Sequence, residues 1–277
     1  MSEFLNEVLQ SVDEQHRDKS AATRRQLVAG AGAALGTLGV LGVLGWARDA
    51  EAALPKAAGS KAPNTPQTIV DVAATAEVLA TIVNTVGAER VALDPVTHAN
   101  IRAAATEEKI HYEALTSSAV GAKAITKRIW VPDEVFASAE NLLTTLVVGD
   151  QVFINAYLLA GTVFARAGGS SGSKFARYAA EFMGVEAVHR ALALQSLGRL
   201  GNDRAFMKFG QKEPVTGLPT TNSSGFYKIT DAVTILESAG FGFGKAGSKA
   251  GTFYDYDAVA PRTPTASETG VNTLTLS

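Results

Sequence analysis

The sequence predicts an all-α protein, a four-helix bundle followed by an irregular C-terminal extension. Three observations predict it. Between residues 65 and 201, four long segments carry helical patterning with start and stop signals between them, and no strand-type alternation competes. Each segment holds a carboxylate at a similar distance from its start. Two of those carboxylates open Glu-x-x-His pairs, Glu108/His111 and Glu186/His189.

Thr65-Pro66 starts the first helix, Thr as N-cap and Pro at the first helical position. It continues through TIVDVAATAEVLATIVNTV to Gly87, a stop signal. Asp94-Pro95 repeats the start, and the second helix runs through THANIRAAATEEKIHYEAL towards Gly121. After Pro132-Asp133, Ser138 caps a third helix that ends at Gly168-Gly169. Ser-Gly-Ser at 171–173 precedes the fourth, which ends at Gly201. The connection between the second and third helices is the longest, as in bundles with one long crossover.

A carboxylate inside an apolar helix is costly unless something pairs with it. A single one is more often a charge on a narrow solvent face, but here the positions argue otherwise. Counted from Pro66, Pro95, Ser138 and Ser173, the residues Glu77, Glu108, Asp150 and Glu186 lie 11, 13, 12 and 13 positions in. At about 1.5 Å rise per residue, that puts all four near one level of an up-and-down bundle. In Glu-x-x-His both side chains share one helix face and can point at one ion. The two pairs and the two preceding carboxylates form the repeated donor set of dinuclear carboxylate bundles. Glu107 and Glu113 turn to other faces and are expected to be solvated. His98, in the first turn of its helix, is expected at the surface.

Composition narrows the chemistry. The 277 residues are 46% hydrophobic and 19% charged, with net charge −2, so a nucleic-acid partner is not expected. No cysteine is present, so any metal is held by oxygen and imidazole nitrogen. No residue from Gln26 to Ala47 is charged; Arg24-Arg25 precede this run and Ala50-Glu51-Ala52 follows it. The order of basic, apolar and small-x-small segments reads as an export signal, and Thr23-Arg24-Arg25-Gln26-Leu27-Val28 resembles a twin-arginine motif. The alternative is an uncleaved transmembrane anchor. Either way the main domain is expected outside the cytoplasm, periplasmic or extracellular, and a membrane is met only through that segment. His16 would leave with the signal.

The motifs resemble those of exported, desiccation-related ferritin-like proteins over roughly Thr65 to Leu200. VEAVHRALAL (185–194) is similar to that family's E-A-x-H-A-A-A-L-R run, and TEEKIHYEAL (106–115) to its E-x-x-H-x-x-x-L run. DQVFINAY (150–157) stands where the family has L-E-D-x-G-V-A-A-Y, with Asp150 in place of Glu. AEVLA (76–80) resembles the start of an L-E-Y-L-E run, with Ala80 replacing the second Glu. The resemblance implies a ferritin-like four-helix bundle with Glu77, Glu108, His111, Asp150, Glu186 and His189 as ligands of dinuclear iron or manganese. The shorter Asp150 is less suited than Glu to bridging two ions.

The expected organisation is a twin-arginine-type signal at 1–52, a linker at 53–64, the bundle at 65–201 and a C-terminal extension at 202–277. That extension is expected to hold one short helix, Thr230 to Ala239, aromatics wrapped against the bundle, and a poorly ordered tail. Its Gly-rich stretches lack the Lys-Ser/Thr ending of a phosphate-binding loop. One functional expectation is an exported metal protein with oxidase or ferroxidase-type activity. The alternatives are a non-enzymatic stress-related bundle of the cell envelope with a vestigial site, and a membrane-anchored adhesin-like protein. A homo-oligomer is compatible with either of the first two.

Overall fold

A computed structural model describes residues 64–207 and 228–272. The expected signal at 1–52 and the linker up to residue 63 lie outside the described residues, as do 208–227, with Phe226 and Tyr227, and 273–277.

Four long helices are found where the patterning places them: α1 (Pro66–Arg90), α2 (Pro95–Thr116), α3 (Ala139–Ala167) and α4 (Gly169–Ser196). Their starts follow the capping chemistry. Thr65 accepts from the Thr68 amide, Asp94 from those of Val96 and Thr97, and Ser138 from that of Asn141. α1 packs on α2 and α3 on α4, and the pairs meet through α1 with α3 and α2 with α4. One apolar cluster runs through all four, including Val78, Ile82, Ile101, Leu142, Val147 and Leu194. α1 is apolar around nearly its whole circumference because neighbours cover it on every side.

Two glycines act differently from the expectation. Gly87 does not end α1; it lies inside the helix, and a Cβ there would come within 2.8 Å of Leu142 Cδ2. It lets α3 approach rather than stopping α1. Gly172 does not precede α4 but lies in its first turn, where a Cβ would meet the Phe164 carbonyl oxygen at 2.5 Å. The reversal at Gly168, with φ +73°, is so tight that α4 starts four residues early.

The all-α expectation needs correcting, because a three-stranded sheet joins the helices. Strand β1 (Arg128–Pro132) lies in the α2–α3 connection. It is the central strand, antiparallel to both β2 (Gly242–Phe243) and β3 (Gly251–Asp255). Ile129 and Val131 are fully buried, whereas Trp130 points the other way and meets Phe253 edge-on. Between α4 and β2 in the chain lies α5 (Ile229–Ser238), at the position expected for the short helix. After β3 come α6 (Tyr256–Val259) and α7 (Ala266–Thr269).

As far as Asn272, the segment read as a poorly ordered tail is tied down. Thr263 is buried and shares a 2.9 Å hydrogen bond with Thr85, and Thr106 donates to the Pro264 carbonyl. Thr265 and Glu268 form a reciprocal capping box on α7. These hydroxyls pair polar groups that α1 and α2 would otherwise bury alone.

Candidate metal centre

All six residues singled out in the sequence converge in the interior. Glu77 comes from α1, Glu108 and His111 from α2, Asp150 from α3, and Glu186 and His189 from α4; each is buried. His111 Nδ1 lies 3.6 Å from Glu77 Oε2, 3.6 Å from Glu108 Oε2 and 3.7 Å from Glu186 Oε1. His189 Nδ1 lies 3.1 Å from Glu108 Oε1 and 3.7 Å from Glu186 Oε2. The early start of α4 leaves Glu186 17 residues into that helix rather than 13, yet it reaches the same level.

The donors form two overlapping groups. Glu77, Glu108, His111 and Glu186 make one; Glu108, Asp150, Glu186 and His189 make the other. Within each group one ligand atom per residue lies within 4.8 Å of all the others, so each group can hold a metal ion. Glu108 and Glu186 belong to both.

Hydrogen bonding does not account for this cluster. Eight buried donor or acceptor atoms of these six residues have no hydrogen-bond partner: Glu77 Oε2, both oxygens of Glu108 and of Glu186, Asp150 Oδ2, and Nδ1 of His111 and His189. Unpaired buried polar atoms are costly, so their concentration at one point needs an explanation. A cation is the partner that suits carboxylate oxygens and an imidazole lone pair together.

The electrostatics fit. Burial and the nearby Glu108 charge push the Glu77 carboxyl up to about 8. Burial and Glu186 push Asp150 well above the usual carboxylate range. Burial and Glu186 also act upward on Glu108, but the two imidazoles facing it win and hold it below its ordinary value. Burial opposes a charge on either imidazole, yet the surrounding carboxylates raise both well above the ordinary value, Glu77 foremost for His111 and Glu107 for His189. Without an ion, protons stand in for it.

The two groups differ in what surrounds them. At the first, the Tyr157 hydroxyl donates to Glu77 Oε1, and the Phe182 ring stacks on His111 with centroids 4.1 Å apart. At the second, His189 Nε2 lies 2.6 Å from Glu107 Oε2. An ionised carboxylate only accepts, so Nε2 carries the hydrogen and Nδ1 is turned to the cluster. Next to His189, Arg190 makes a bidentate pair with Asp203 at 2.7 and 3.0 Å. Next to Asp150, Gln151 accepts from Arg204.

Glu107 is therefore a correction: expected to be solvated, it is about one-third exposed and bonded to His189. Its position beside Glu108 in sequence hid this, because neighbouring residues leave a helix in different directions. Tyr157 and Phe182 were also missed, although the signal was present. Tyr157 is seven residues after Asp150 and Phe182 four before Glu186, both same-face spacings. Glu113 is exposed, and His98 bonds to the Ala88 carbonyl, outside the cluster.

Comparison with protein-family models, with curated proteins and with solved structures finds no match for this chain.

Proposed function

We propose that this chain is a ferritin-like four-helix bundle whose core binds two divalent metal ions, iron or manganese, and serves redox chemistry outside the cytoplasm. One observation carries the reading: two four-donor groups share Glu108 and Glu186 and leave eight buried atoms without hydrogen-bond partners. Four carboxylates and two neutral imidazoles carry four negative charges, which two divalent cations cancel; one cation would leave the interior anionic. In this arrangement Glu108 and Glu186 would serve both ions. Glu77 with His111, and Asp150 with His189, would each serve one. Asp150 thus takes a position that asks for no bridge, which removes the difficulty raised by its shorter side chain.

Iron held there would supply one-electron chemistry with dioxygen or peroxide. The chain's own residues do the rest. Glu107 orients His189 by accepting a hydrogen bond from Nε2–H. Tyr157 holds Glu77 by donating to Oε1, and Phe182 covers the face of His111 against water. The twin-arginine-like Thr23–Val28 motif supports export of the folded protein with its metal already loaded.

The test is metal analysis of protein purified from its natural route without an affinity tag. The expected content is roughly two ions per chain. Protein that contains no metal and takes up neither Fe(II) nor Mn(II) under anaerobic loading overturns the reading. Replacement of Arg24 and Arg25 by Lys is expected to block export; unchanged export removes that part of it.

A further inference from the structure

A cavity of about 280 Å³ lies between α1, α3 and α5. Its wall is mainly apolar, with Leu79 and Val83 from α1, Leu146 and Phe153 from α3, Leu236 from α5, and Phe241 beyond it, and the hydroxyl residues Thr144, Thr145 and Ser238 also line it. The exposed ion pair of Lys249 with Glu134 forms its rim. Its inner end is Asn84 and Asp150, both buried, and Asn84 Oδ1 and Asp150 Oδ2 have no hydrogen-bond partner. A second cavity of about 20 Å³ shares Asn84, Leu146 and Asp150 and continues to His189. That is room for about one water molecule.

Gly149 lines the larger cavity. It lies in the middle of α3, where glycine is disfavoured relative to alanine. A Cβ there would meet no atom within 4 Å, so no close contact calls for glycine at this place. A side chain at Gly149 would instead occupy the cavity it lines.

We infer that this cavity is a binding site for an uncharged, mainly apolar molecule with one polar end, and that it brings the apolar body up to the Asp150 edge of the cluster. The volume fits roughly ten non-hydrogen atoms, taking the ~30 Å³ share of one water in the liquid as the unit. The rim selects for neutrality: Lys249 and Glu134 cancel each other and together offer a donor and an acceptor, the needs of an alcohol or a carbonyl. Between that rim and Asp150, the apolar stretch of wall gives a charged body nothing to pair with. That this molecule is the substrate of the metal centre rests on the proposed function; that the cavity binds it does not.

The experiment uses the full chain freed of metal with EDTA and titrates 1-octanol calorimetrically, with octanoate and octylammonium as charged counterparts. The expected result is saturable octanol binding at one site, at least tenfold weaker for either ion. Gly149→Leu, with its fold checked by circular dichroism, is expected to weaken octanol binding at least tenfold. No saturable binding to the natural chain, or equal binding by a folded Gly149→Leu variant, overturns the inference. Octanol bound by a protein that takes up no metal upholds the cavity site and overturns only the metal reading. Metal bound by a protein that ignores octanol does the reverse.

Discussion

The two halves of the buried cluster hold nearly the same donors in different surroundings. The Glu77–His111 half is closed by aromatic rings: Tyr157 bonded to the carboxylate, Phe182 stacked on the imidazole. The Asp150–His189 half is backed by charge instead, with Glu107 on His189 and the Arg190–Asp203 pair alongside. Asp150 lines two cavities on this side, and His189 lines one of them; on the other side a cavity of about 30 Å³ is lined by Tyr157 and Phe182 and by none of the six clustered residues. Donor identity says which ions fit, and it is shared. The surroundings are where the halves part.

The largest effect is expected where the halves are not separate. Glu108→Ala or Glu186→Ala removes a donor common to both groups, so metal content is expected to fall from the proposed two ions per chain to near zero. Retention of one full equivalent would break the description of these residues as shared. Next come the imidazoles. His111→Ala and His189→Ala are each expected to lose about one equivalent, since each serves one group. If either loses both, the halves are a single unit and the comparison fails.

Acidity sharpens the same point. Glu77, Asp150, His111 and His189 all hold protons more tightly folded than unfolded. For the carboxyls, with Glu77 raised from 4.5 to about 8, the stabilisation is present below the unfolded value and lost as pH rises towards 8. For the imidazoles it is present below their ordinary value and lost as pH rises beyond it. Glu108 acts oppositely, contributing above its unfolded value and losing that contribution as pH falls. The metal-free protein is therefore expected to become less stable from pH 5 to 8.5. Metal must displace the protons, so its affinity rises about tenfold per pH unit for each one. Thermal melts with and without Mn(II) across this range check it: a metal-induced shift that is the same at pH 6 and pH 8 contradicts the proton-for-metal exchange.

The smallest change is expected from the supporting residues, and it should be one-sided. Glu107→Gln is expected to weaken only the ion at His189, by roughly 10- to 100-fold. Tyr157→Phe acts only at Glu77. Competition with a graded chelator, read as one ion leaving before the other, separates them. Equal loosening of both ions by Glu107→Gln would erase the distinction between the halves.

The helices and the six clustered residues were legible in sequence because both depend on local spacing. Thr65-Pro66, Asp94-Pro95 and Ser138 start helices by their own hydrogen bonds, and Glu-x-x-His puts two side chains on one face whatever surrounds it. The sheet was not legible. β1 is five residues long, and its pairing partners lie more than a hundred residues later in a glycine-rich stretch. Gly251 reads as a loop residue, yet its lack of a side chain lets Trp130 lie against it, with a Cβ there falling 2.6 Å from the indole nitrogen. Glu107 was hidden for a related reason. Its role depends on where α4 places His189, and only tertiary packing decides that.

The central position of β1 also sets an order of events during synthesis. A nascent chain that has emerged only as far as Ser196 has all four long helices but neither partner for the backbone of Arg128–Pro132. Both edges of that strand wait for residues 242 to 255 to leave the ribosome, and the Thr85–Thr263 bond waits longer. Pairings between such distant stretches form slowly. The closing step thus comes only after residues 242 to 263 have been made, and until then Thr85 on α1 lacks its partner Thr263.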